Sequence, residues 1–128
     1  MSSPTVILCV DDEPNILVLR RLLLSIAGYE VLTANNGKAA LDLFALYHVD
    51  LVITDQLLPG LTGVQVIAEM KRLKPEVPVV LYSGLLDTPL DSTLADLVLT
   101  KGMTPPEFLA AIAKLLSKSG SASAAGTA

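Results

Sequence analysis

Five short apolar runs punctuate the chain: TVILCV, YEVLTA, DLVIT, VPVVLY and DLVLT. Between them lie segments whose apolar residues recur every three or four positions. Runs this short with no polar alternation read as strands covered on both faces, and the intervening segments read as helices. A parallel sheet with helices on both sides satisfies both patterns, through right-handed crossovers. The expectation is a doubly wound α/β domain with five parallel strands and about five helices.

Local signals place the helices. Pro14 suits a first helical turn. Ile16, Leu19, Leu23 and Ile26 recur at three-to-four spacing and are expected to form one helical face, with Gly28 placed to end the helix. Asn36 can cap a second helix through GKAALDLFALY. GVQVIAEMKRL reads as a third helix, stopped before Pro75. TPPEFLAAIAKLLSK reads as the last, with Thr104 as its cap and prolines in its first turn. The expected division is one domain over residues 1–118 and a flexible Ser/Ala/Gly tail or linker over 119–128.

The 128-residue length suits one domain that folds without a disulfide or metal staple. A net charge of −4 and a pI of about 4.7 argue against a nucleic-acid-binding face. Charged residues make up 17%, below the usual ~25%, so part of the surface should be apolar. Cys9 is the only cysteine and sits in an apolar run, which fits a small buried hydrophobe in a reducing, cytoplasmic setting. MSSPTVILCV lacks a basic n-region, and no run reaches the ~20 apolar residues of a membrane span.

The chemistry lies where the strands end. The first strand runs into Asp11 and Asp12, the third into Asp55, the fourth into Ser83 and the fifth into Lys101. In an open parallel sheet the carboxyl ends share one edge, and ligands bind in the crevice there. Three carboxylates meeting in that crevice repel one another unless a cation sits among them. Oxygen donors without His or Cys suit a hard cation such as Mg2+. A cation and Lys101 beside Asp55 would hold a phosphoryl group, and a carboxylate can be the nucleophile that accepts it. Glu13 is expected in the first helical turn, where the helix dipole favours an acid. His48 is expected to be solvated or structural, NNGKAA to be a helix cap, and AAIAKLLSK to pack on the sheet.

CVDDEPN, DLVITDQLLPGLTG, VVLYSG and LVLTK, in that order on successive strand ends, resemble the receiver domain of bacterial two-component response regulators. The resemblance covers roughly residues 5–117. It implies a flavodoxin-like strand order 2-1-3-4-5. It also implies phosphorylation of Asp55 by a histidine kinase or phosphotransfer protein, followed by self-catalysed dephosphorylation. By position, Asp12 is the direct Mg2+ ligand, Asp11 its water-mediated partner, and Asp55 and the Leu57 backbone carbonyl complete the set. Ser83 resembles the switch hydroxyl and Lys101 the lysine that pairs with the phosphoryl group. The downstream partner, or a fused output domain, is left open, and a homodimer is one candidate assembly.

Departures from the family pattern qualify the switch. Val98 stands where the family usually has Tyr or Phe, so the aromatic readout should be missing. Gly102 follows Lys101 where proline is usual, so a trans peptide is expected there. Only 17 residues separate Ser83 from Lys101, about one helical turn fewer than usual, so the helix around Pro89 to Ala95 should be short or irregular. That weakens the family's usual output face. Two other functions compete. One is a pseudo-receiver that binds partners without phosphorylation. The other is an aspartyl-nucleophile phosphohydrolase, disfavoured because Leu57 replaces a second acid and no residues remain for a substrate cap.

Overall fold

The computed structural model describes residues 4–84 and 94–119. The elements run β1 (Val6–Val10), α1 (Pro14–Ile26), β2 (Glu30–Ala34), α2 (Gly37–Leu46), β3 (Leu51–Asp55), α3 (Gly63–Leu73), β4 (Val79–Ser83), β5 (Leu97–Thr100) and α4 (Pro105–Ser119). All five strands are parallel, in the order β2-β1-β3-β4-β5. Chain order reverses its direction of growth between β1 and β3, which is where such sheets open a crevice.

Strand side chains alternate across the sheet and build two apolar layers. Leu8, Val10, Val52 and Leu81 pack with Phe44 of α2 and Val66 and Met70 of α3. Ile7, Cys9, Ile53 and Tyr82 pack with Leu24 of α1 and Phe108 and Ile112 of α4. Cys9 is therefore fully enclosed, and burial pushes its thiol up to about 12. A thiol-specific reagent near neutral pH should leave native protein unmodified and label it only after denaturation; rapid native labelling would show that β1 opens.

Caps set the helix ends. Asn36 Oδ1 accepts from the Ala39 amide at 2.8 Å, and Thr62 and Gln65 form a capping box at α3. Thr104 and Glu107 exchange the same pair of bonds at α4. After α1, Gly28 adopts φ +101°, its amide donates to Ser25 O, and the Tyr29 amide donates to Leu24 O. These are the two bonds of a Schellman stop, which needs the left-handed backbone that glycine tolerates.

Three expectations are corrected or left open. First, α1 buries Leu24 and Arg20 with Leu17 half-buried, while Ile16, Leu19 and Ile26 are exposed and Leu23 is half-buried. The helix is apolar on nearly every side, so spacing alone cannot choose its inner stripe. Second, Glu13 is the N-cap of α1, accepting from the Asn15 amide, and lies just before the first turn. Third, four helices occur among the described residues; the short helix expected around Pro89 falls largely within 85–93, outside them. Exposed Val18, Leu22 and Ile26 give the apolar surface that the low charge content implied. His48 is solvated and bonded to Asp50 at 2.8 Å. The Lys101–Gly102 peptide is trans. No helix among the described residues is long and apolar enough to cross a membrane.

Candidate functional site

The carboxyl edge of the sheet assembles the charged residues. The Asp11 amide continues the β1–β2 ladder by donating to Ala34 O at 3.1 Å. Its side chain turns the chain toward α1, with Oδ1 accepting from the Glu13 amide at 2.9 Å. Asp12 is exposed at the rim. Asp55 ends β3 and is only 4% exposed. Its Oδ1 accepts from the Gln56 amide at 2.9 Å and lies 2.8 Å from Lys101 Nζ. Lys101 is held there by its own amide, which donates to Ser83 O at 3.2 Å and ties the end of β5 to the end of β4.

One carboxylate oxygen from each of Asp11, Asp12 and Asp55 lies within 4.8 Å of the others. This oxygen-only set fits Mg2+, which prefers a small number of carboxylates and keeps water in its remaining positions. The three aspartates line a cleft of about 640 Å³ together with Lys101 and Leu57. Ile16, Leu19 and Leu23, expected on one apolar helical face, form part of its apolar wall.

Asp11 carries the electrostatic cost. Burial raises its carboxyl above the ordinary 3.8 and outweighs the Glu13 amide bond; Asp55 raises it further, and Arg20 and Lys101 pull it down. A raised acid stabilises the fold fully below its unfolded value, and that contribution is lost as pH rises through the folded value. Ionised Asp11 is thus a liability at neutral pH that an added cation would relieve.

Ser83 stands at the end of β4, paired in register with Thr100, and is fully buried. Its hydroxyl donates to Gly84 O at 3.1 Å, and Ser83 is not among the residues lining the cleft. The structure thus groups the three aspartates, Leu57 and Lys101 in one cleft and sets Ser83 on the adjoining strand end. Lining residues that went unnoticed in the sequence include Arg20, Tyr82, Met103 and Phe108. The spacing Leu17–Arg20–Leu24 could have marked Arg20 as inward-facing, but an arginine there reads as a solvated charge.

The response regulator receiver domain model matches residues 7–113. The chain belongs to the response regulator receiver domain family, the signalling domains of two-component systems that switch on phosphorylation. It is 35% identical over 115 residues to the probable transcriptional regulator ycf27 of Cyanidium caldarium, covering 86% of this chain and 45% of that one. It is 33% identical over 118 residues to the alkaline phosphatase synthesis transcriptional regulatory protein PhoP of Bacillus subtilis, covering 88% and 49%. The chain therefore spans about half the length of these relatives. Among solved structures, a CheY-like receiver domain protein from Methanospirillum hungatei superposes with a TM-score of 0.85 at 25% identity, covering 91% of this chain and 97% of that one. Response regulator TrrA of Thermotoga maritima, in complex with Mg2+ and BeF, superposes at 0.81 with 36% identity, covering 87% and 98%.

Proposed function

We propose that Asp55 is the phosphoacceptor of a Mg2+-dependent switch, with Asp11, Asp12, Asp55 and the Leu57 carbonyl holding the ion. The observation that carries this reading is the contact of Lys101 Nζ with Asp55 Oδ1 at 2.8 Å, inside a cluster of three carboxylates. Bound there, the ion would neutralise charge on the phosphoryl oxygens. Asp55 supplies the attacking carboxylate oxygen. A new P–O bond forms as the donor's P–N bond to a phosphohistidine breaks, and the freed imidazole nitrogen keeps the electron pair. Lys101 then pairs with a phosphoryl oxygen in place of the carboxylate. The Ser83 hydroxyl rotates from Gly84 O to donate to another. Hydrolysis by water returns inorganic phosphate and the Asp55 carboxylate, assisted by the same groups.

The donor is a histidine kinase or phosphotransfer protein, and the setting is cytoplasmic. Relatives of twice the length are named as transcriptional regulators, which supports an output region or partner distinct from this acidic domain. Val98 is partly exposed on β5 and has no ring to swing, so the readout runs without that aromatic. Incubation with Mg2+ and a small phosphodonor should add one phosphate by intact mass, and a chelator should prevent it. A pseudo-receiver would gain none under either condition.

A further inference from the structure

Among the described residues, the buried charged side chains are Asp11, Asp55 and Arg20. The two acids belong to the proposed chemistry. Arg20 does not, and an enclosed cation needs compensation. Its side chain is 8% exposed on the α1 side of the sheet. The guanidinium lies 4.5 Å over the Tyr82 ring, which in turn packs 5.6 Å from Phe108. Nη1 is 3.6 Å from Asp11 Oδ2, an ion pair too long for a hydrogen bond, and has no hydrogen-bond partner. Asp11 is thus the carboxylate that balances this buried charge, and the Tyr82 face supplies the rest.

The same carboxylate offers an oxygen within 4.8 Å of carboxylate oxygens of Asp12 and Asp55, and Arg20 lines the cleft with all three. A divalent cation there and the guanidinium draw on one Asp11 charge, in a place where solvent screens them little. We infer that Arg20 is a positioning residue: it holds Asp11 in the metal-free site and competes with the divalent cation for it, which lowers the site's metal affinity. The inference rests on the Mg2+ reading above. Whatever stabilises the metal-free site more than the metal-bound one weakens binding by the same factor.

The test is calorimetric titration of the full chain with MgCl2, without phosphodonor. Arg20→Met removes the charge and keeps a chain to pack on Tyr82. Arg20→Gln removes the charge and keeps a donor for Asp11, which guards against a methionine variant that fails to fold. Arg20→Lys keeps the charge. Both neutral variants should bind Mg2+ roughly tenfold more tightly, within the usual range of coupling between linked sites. The lysine variant should stay near the wild type. In chelator the neutral variants should melt lower than the wild type, and saturating Mg2+ should raise their melting temperatures more. Wild-type binding with unchanged or weaker affinity in the folded neutral variants would overturn the role of Arg20 alone. No Mg2+ binding in any of the four proteins would overturn the metal reading, and this inference with it.

Discussion

Asp55→Asn should incorporate no phosphate under conditions that fully label the wild type. The carboxamide matches the carboxylate in size but offers no anionic oxygen to attack phosphorus. Folding should survive the change. Asp55 is one of three mutually repelling carboxylates, and the Lys101 side chain left without it is 42% exposed and can be solvated. Circular dichroism should match the wild type, so the loss would be chemical. Asp12→Ala should label about a hundredfold more slowly, the scale seen when one electrostatic contributor to a transition state is removed. Labelling of Asp55→Asn at the wild-type rate would move the acceptor to another residue.

Gly63→Ala should be the most damaging single-methyl change. A Cβ at Gly63 would lie 2.3 Å from Asp55 O and 2.9 Å from Gln56 Cα. Both obstacles are backbone, so no rotamer change relieves them. The Gly63 amide donates to Gln56 O at 2.9 Å, and the Val64 amide donates to Gln56 Oε1 at 3.0 Å. The start of α3 is therefore bolted to the chain leaving Asp55. Alanine must either lift α3 and break those bonds or push Asp55 out of line. A loss of about 3 kcal/mol is expected, at the upper end for overpacking, or roughly 10 °C in melting temperature. Phosphorylation should slow as well. Gly102→Ala is the control: nothing lies within 4 Å of its added Cβ, and it should melt within about 2 °C of the wild type. Equal melting of Gly63→Ala and the wild type would show that the contact relaxes freely.

The strands and the site acids were legible because each is written locally. Apolar runs bounded by Asp11, Asp55, Ser83 and Lys101 state both the strand and its functional end, and sheet topology brings the ends together. Helix boundaries were legible through Gly28, Asn36 and Thr104, whose side chains or backbone satisfy the terminal groups, and through Pro14, which has no amide hydrogen to leave unpaired in the first turn. The inner face of α1 was not. Leu17, Leu19, Leu22, Leu23 and Leu24 offer several stripes of equal spacing. In the folded chain, α1 turns Arg20 inward toward Asp11, just past the end of β1, and toward Tyr82 of β4, which is distant in sequence. Glu13 was misplaced by one position because Glu is a common first-turn acid and not a favoured cap, so its capping of the Asn15 amide could be seen only in the folded backbone.

The most direct test is to trap the phosphoryl group where it forms. Borohydride reduces an acyl phosphate to an alcohol with release of phosphate, which would convert a phosphorylated Asp55 to homoserine. After incubation with Mg2+ and a small phosphodonor, peptide mass spectrometry should find homoserine at position 55 and at no other aspartate, and none in chelator. Homoserine elsewhere, or an unmodified Asp55 despite added phosphate by intact mass, would contradict the account.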